Sequence, residues 1–203
     1  MKNYKPISEK DGEILVKTAR KVVSEFLKSN NKMKLDSEFE KSFSFNSGVF
    51  VTLNDPSGLR GCIGYPLPDK KLYNALEDAA IAAATEDPRF PKVSSEELDK
   101  ITFEVTVLTP PEEIKVEDPL NYPSNIQVGT DGLIVKFGFS SGLLLPQVPI
   151  EYSWNAEEFL GHTCEKAGLQ NDIWKNSQIK VLKFQGVIFK EESSNGKVVP
   201  VKL

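Results

Sequence analysis

Apolar residues recur at three- and four-residue steps from Glu9 to Lys28. Leu15, Ala19, Val22 and Phe26 form one stripe, and Ile14, Val23 and Leu27 widen it. That period predicts an amphipathic helix. Ser8 followed by Asp11 predicts its capped start. Lys17, Arg20, Lys21, Glu25 and Lys28 fill the opposite side and read as plain solvated surface. Residues 29–47 are polar with three phenylalanines, Phe39, Phe43 and Phe45, and are expected to form an irregular connection. Gly48 to Asn54 and Leu59 to Tyr65 are rich in strand-forming residues and flank the turn-forming run Asn54-Asp55-Pro56-Ser57-Gly58, so a hairpin is expected. A second helix is expected from about Lys70 to Thr85. Asp69 would be its cap, and Leu72, Leu76, Ala79, Ala80 and Ala83 its inner stripe. Asp87-Pro88 would stop it.

Further along, Ser95 to Leu98 reads as a short helical turn. Ile101 to Leu108 alternates apolar with polar, as a half-buried antiparallel strand does. Residues 109–127 are Pro-rich and acidic and read as a loop. Gly132 to Phe139 and Leu143 to Val148 flank Ser140-Ser141-Gly142, a hairpin signal. Leu143-Leu144-Leu145-Pro146 is expected to bury against the first helix. Trp154 to Ala167 suits a third helix ending at Gly168, and Gln178 to Lys190 is strand-like up to a break at Gly186. Helices interleaved with hairpin-linked strands predict an α+β fold: mainly antiparallel sheet packed with about three helices.

Composition narrows the classes. The chain has 203 residues, 39% of them hydrophobic and 27% charged, as expected of a globular protein with a sizeable core. A net charge of −4 argues against a dedicated DNA binder. No apolar run approaches the ~20 residues a membrane helix needs. The start, Met1 to Glu9, is polar where a signal peptide has an apolar segment, so a cytoplasmic location is expected. The two cysteines, Cys62 and Cys164, lie far apart, and no structural disulfide is expected. With one histidine, His162, they are too few for a structural zinc site. His162 and Cys164 are two apart on a helix and do not share a face. Gln147, Trp154 and Trp174 read as packing or cap residues. No dinucleotide-binding glycine pattern and no phosphate loop is present, and no cofactor is expected.

The segment with the most chemistry is Leu59-Arg60-Gly61-Cys62-Ile63-Gly64-Tyr65-Pro66. In an extended chain Arg60 and Cys62 share a face. A cation beside a thiol lowers its pKa. Gly61 and Gly64 let another backbone or a ligand come close. Cys62 is therefore a candidate nucleophile or metal ligand, against the plainer reading of a small buried strand residue. Arg60 would bind a carboxylate or phosphate, or pair with Glu86, Asp87 or Glu104. Glu104, polar among apolar strand neighbours, would act as a general base or simply meet solvent. Glu86, Asp87 and Arg89 form a charged loop, read as a binding element or a structural clamp anchored by Phe90.

The hexapeptide Leu59-Arg60-Gly61-Cys62-Ile63-Gly64 resembles the signature of the AMMECR family. Further blocks agree in order: Glu86-Asp87-Pro88-Arg89-Phe90-Pro91, Glu104 to Thr109, Val128 to Leu133, Gly142 to Val148, Phe159-Leu160 and Cys164 to Leu169. The resemblance implies a two-part α/β protein with no assigned activity: residues 10–190 as a single domain of two intertwined subdomains, about 58–109 the smaller, with a cleft between them near the signature. It also implies association with Memo-like and radical-SAM proteins and a suggested role in RNA modification. The function expected on this basis is that of an enzyme or enzyme accessory. Its cleft would centre on the hexapeptide and take a small anionic or nucleotide-like substrate. The alternatives are a non-catalytic protein-binding module or an RNA-modification accessory; no membrane and no DNA partner is expected.

Overall fold

The computed structural model describes residues 5–201, so Met1 to Tyr4 of the polar start lie outside the described residues. The chain forms two compact units. One runs to Pro110 and resumes at Val187; the other is Pro111–Gly186.

In the first unit, α1 (Glu9–Ser29) starts at the expected capping box, with Ser8 and Asp11 satisfying each other's backbone N–H groups. Its stripe of Leu15, Val16, Ala19, Val22 and Val23 is fully buried. The connection after it contains a short helix, α2 (Ser37–Ser42), where irregular chain was expected. Asp36 caps it, and Phe39 and Phe43, one turn apart, bury against the core. The hairpin strands are β1 (Val49–Asp55) and β2 (Gly58–Tyr65).

The next helix, α3 (Leu72–Thr85), starts later than expected, and Asp69 does not cap it. Its first N–H groups are met by main chain instead: Leu72 donates to the Phe45 carbonyl at 2.8 Å and Tyr73 to that of Phe43 at 3.3 Å. A 3-10 helix (Ser95–Lys100) leads into β3 (Thr102–Leu108).

The second unit holds a four-stranded sheet, ordered β4-β7-β5-β6. Its strands are β4 (Glu112–Glu113), β5 (Gly132–Phe137), β6 (Ser140–Leu144) and β7 (Lys180–Phe184). β4 and two short 3-10 turns occupy the segment expected as loop. The hairpin turns one step earlier than expected: Phe137 pairs with Ser140, and Gly138 takes the left-handed turn position at φ 58°. Phe139 at the tip is fully exposed. After α4 (Val148–Glu151), helix α5 (Ala156–Lys166) is capped by Asn155 and buries Phe159, Leu160 and Cys164. Leu144, expected to bury against the first helix, packs into this unit's own core, with Phe159, Leu160 and Val181.

The chain then re-enters the first unit through β8 (Gly186–Glu191) and β9 (Val198–Val201). The break foreseen at Gly186 is where one sheet ends and the other begins. The five-stranded order is β2-β1-β3-β8-β9. Residues 58–109, expected as a smaller subdomain, sit within this unit, with β2 and β3 on either side of β1. The fold is α+β with antiparallel sheets. Val49, Val51, Leu53, Phe103, Val105 and Val107 face α1 and α3, and all are fully buried. Alternation puts Thr52, Asn54, Thr102, Glu104 and Thr106 on the outer face.

Candidate functional site

Pairing places Cys62 opposite Thr52, and Thr52 opposite Glu104. The three side chains therefore form one row across β2, β1 and β3 on the outer face. Cys62 and Glu104 are two strand spacings apart, about 10 Å. The Thr52 hydroxyl lies 3.2 Å from the Cys62 sulfur and bridges the row. Lys190, exposed on β8, is the charge felt by Glu104. Burial pushes the Glu104 carboxyl above its ordinary range, and Lys190 pulls it partly back. Burial also pushes the Cys62 thiol up. The Thr52 hydrogen bond and the Arg89 charge oppose this, and Asp87 and Glu104 reinforce it.

Arg60 does not stand beside Cys62. The strand register shifts between Leu53 and Asn54, which leaves Arg60 as an extra residue in β2 and breaks the simple alternation. The guanidinium is buried and fully engaged. It donates to Glu97 through Nε at 2.9 Å and Nη2 at 3.2 Å, to the Pro91 carbonyl at 2.8 Å and to the Lys92 carbonyl at 3.4 Å. Its partner is Glu97, not Glu86, Asp87 or Glu104, and Arg60 holds Glu97 ionised below the usual carboxylate range. Arg60 thus ties the loop after α3 to the edge strand.

That loop carries the cation whose charge does act on the thiol. β2 is the outermost strand, so alternate backbone groups on it lack a strand partner. At Cys62 these groups are met by side chains. The Asp87 carboxylate accepts the Cys62 N–H at 2.8 Å, and Arg89 Nη2 donates to the Cys62 carbonyl at 3.4 Å. Asp87 also accepts from Arg89 through Nε at 2.9 Å, Nη2 at 2.7 Å and the backbone N–H at 3.1 Å. Asp87 is 5% exposed, whereas the Arg89 side chain is 54% exposed. The arginine hydrogen bonds hold the Asp87 carboxyl far below its ordinary range. Glu86 is exposed at the end of α3 and contributes its backbone N–H to the Ala82 carbonyl.

The two glycines are explained by packing. A Cβ on Gly61 would lie 2.1 Å from the Ala83 carbonyl oxygen, so the absent side chain lets α3 approach the sheet. A Cβ on Gly64 would strike the Phe50 ring at 2.3 Å. The groups that approach the two glycines are a helix backbone and an aromatic ring.

In the second unit, burial pushes the Cys164 thiol up to about 11, an inert core position. His162 stacks on Trp154 at 3.8 Å and bonds Glu165 at 2.7 Å. Trp174 is a core residue. Among the described residues, no group of three or more His, Cys, Asp or Glu side chains is placed to hold a metal ion, and no helix is long and apolar enough to cross a membrane.

A family model, AMMECR1, matches residues 16–189. The chain belongs to the AMMECR1 family. A protein of Methanothermobacter thermautotrophicus is 52% identical over 189 residues, covering 93% of this chain and 98% of that relative. A protein of Methanocella arvoryzae is 49% identical, covering 97% and 99%. The crystal structure of uncharacterized protein PH0010 from Pyrococcus horikoshii is similar with a TM-score of 0.83 at 46% identity, and covers 97% of this chain and 99% of that one. The fold of the AMMECR1 chain is thus shared with a solved structure.

Thr52 and Glu97 were missed in the sequence. Thr52 is legible once β1 and β2 are paired, because it must sit opposite Cys62. Glu97 had only a weak signal, the Ser94-to-Glu97 capping spacing.

The Asp87 arrangement predicts an acid-sensitive fold. A carboxyl whose pKa is depressed by folding contributes stability above its unfolded pKa, near 4, and loses that contribution as pH falls toward the folded value. Asp87→Asn is therefore expected to destabilise the chain by about 2 kcal/mol near neutrality, because a hydrogen-bonded charge pair is lost. The gap from wild type should close as pH drops from roughly 5 to roughly 2. Urea unfolding across that range checks it, and a pH-independent gap would contradict it.

Proposed function

We propose that the AMMECR1 chain is an enzyme or enzyme subunit working on the outer face of its five-stranded sheet. In this reading Cys62 is the reactive thiol and Glu104 the proton-transfer group. The substrate is small and anionic or nucleotide-like. The observation that carries the reading is the row Cys62–Thr52–Glu104. Two ionisable groups whose pKa values burial pushes up share one half-buried strip, and the helices of their unit pack on the opposite side. Desolvated titratable groups set together are characteristic of sites that move protons. Glu104, as the carboxylate, would serve as base toward the thiol or the substrate, with the Thr52 hydroxyl between them. The resting thiol is not pre-activated, so chemistry at sulfur requires the substrate or Glu104 to draw the proton away.

Iodoacetamide labelling of the native chain tests this. Cys62 should react without denaturant, with an apparent pKa above the ordinary thiol value of about 8.5. Glu104→Gln removes a negative charge that raises the thiol, so its midpoint should fall; Thr52→Val should raise it. Labelling only after denaturation would leave Cys62 a packing residue. An unmoved midpoint in Glu104→Gln would separate the two groups and end the reading.

A further inference from the structure

The cation beside the thiol is built in a way that a surface clamp does not require. Arg89 spends Nε and Nη2 on Asp87, in the side-on fork that fixes a guanidinium plane. Asp87 is itself immobilised by the edge-strand N–H of Cys62 and by the Arg89 backbone. The remaining nitrogen, Nη1, has no hydrogen-bond partner among the described residues, and the side chain is half exposed. Nη2 also reaches the carbonyl of Cys62, so the free edge of the fork stands close to that residue. The Arg89 charge acts on the thiol, and the thiol acts on Arg89. Arg60, the arginine within the hexapeptide, has every nitrogen committed to protein acceptors.

We infer that Arg89 is the anion-binding residue of the Cys62 site, held in register by Asp87, and that it takes the carboxylate or phosphoryl group of the substrate. The inference rests on the proposed Cys62 site and names the part of it that selects substrate. The physical case is one of pre-organisation. An exposed arginine loses rotamer freedom when it binds an anion, and Asp87 removes that cost in advance. Asp87 offsets some of the arginine's charge, yet it engages one edge of the guanidinium and leaves Nη1 able to donate two hydrogen bonds. Lys190, on β8 near Glu104, places a second cation on the same face. The substrate would thus be anchored at Arg89 while its reacting carbon or phosphorus lies over the Cys62–Glu104 row.

The test compares two alkylating probes of similar size, neutral iodoacetamide and anionic iodoacetate, on the full chain. In wild type, the iodoacetate-to-iodoacetamide rate ratio at Cys62 should exceed that of the urea-unfolded chain about 5-fold or more, a typical gain for one directed charge pair. Inorganic phosphate at millimolar concentration should slow both reactions. Arg89→Gln should bring the ratio down to the unfolded value and abolish phosphate protection; loss of a charge that favours the thiolate slows both reagents alike, so the ratio and not either rate is the readout. Arg89→Lys, which keeps the charge and loses the fork, should retain only part of the ratio. Circular dichroism of each variant establishes that the fold is intact. Should Arg89→Gln unfold, Arg89→Lys carries the comparison. A wild-type ratio equal to that of the unfolded chain, or a ratio and phosphate effect unchanged in either variant, would overturn the assignment of Arg89 while leaving the Cys62–Glu104 row standing. Failure of both reagents to label native Cys62 would instead remove the site itself.

Discussion

Glu191→Ala is expected to cost about 3–5 kcal/mol of folding free energy, the largest electrostatic loss available in this chain. Glu191 is 3% exposed and forms a bidentate pair with Arg20, Nε to Oε1 at 2.6 Å and Nη2 to Oε2 at 2.5 Å. The carboxylate also accepts the Phe103 N–H at 3.0 Å, and Arg20 donates to the carbonyls of Leu98 and Ile101. The guanidinium lies 4.6 Å from the centre of the Phe103 ring. One pair thus fastens α1, β3 and β8 together. Removing the acid strands a nearly buried cation and orphans the N–H of a fully buried residue, and each is costly on its own. Glu191→Gln keeps shape and one acceptor and should lose less. Arg20→Met with Glu191→Leu should recover part of the loss, since burying an ion pair is itself expensive. The recovery would be incomplete, because Leu98, Ile101 and Phe103 still lose partners. Thermal unfolding should report Glu191→Ala as a drop of roughly 10 °C. A loss under about 1 kcal/mol would show that apolar packing alone seats β8.

Nothing local in the sequence announces this pair. Arg20 lies on the polar side of an amphipathic helix, where solvated arginines are the rule, and its partner is 171 residues away. The same limit explains Arg60. Alternation places it with Cys62, and only the pairing of β2 against β1 reveals the extra residue that redirects it to Glu97. By contrast, α1 with its cap, the first hairpin, β3 and α5 were legible, because their signals are periods and caps within the element itself. Short elements were not. α2 carried an Asp36 cap and a Phe39–Phe43 spacing, yet six residues give less than two turns of period. β9 has only four residues with Pro200 among them. Cys62 and Glu104 each stand out singly as candidates in the sequence. Their membership of one row depends on register, which no single strand encodes.

Gly61→Ala is the second large effect and the sharper test of how the hexapeptide works. The added methyl would sit 2.1 Å from the Ala83 carbonyl oxygen, a backbone atom inside a helix packed on the sheet. A flexible side chain could swing away; a helical carbonyl with fully buried neighbours at Ala79 and Ala80 cannot without moving α3. Overpacking of this kind costs about 3 kcal/mol, against which the lower entropy of an unfolded alanine returns about 0.4–1 kcal/mol. The net expectation is a loss of about 2–3 kcal/mol by denaturant unfolding. Gly138→Ala is the control. Its Cβ meets nothing, and only the left-handed backbone at φ 58° opposes it, at about 1 kcal/mol. Equal losses at the two positions would mean that α3 yields freely and that glycine is not needed for contact. If instead Gly61→Ala is the costlier, the shift of α3 should also displace Asp87 and Arg89, which follow it directly in the chain. The native labelling rate of Cys62 should then change even though the thiol is untouched. Stability and reactivity would move together there, because Gly61, the end of α3 and the Asp87–Arg89 fork are successive links in one chain of contacts that ends at the Cys62 backbone.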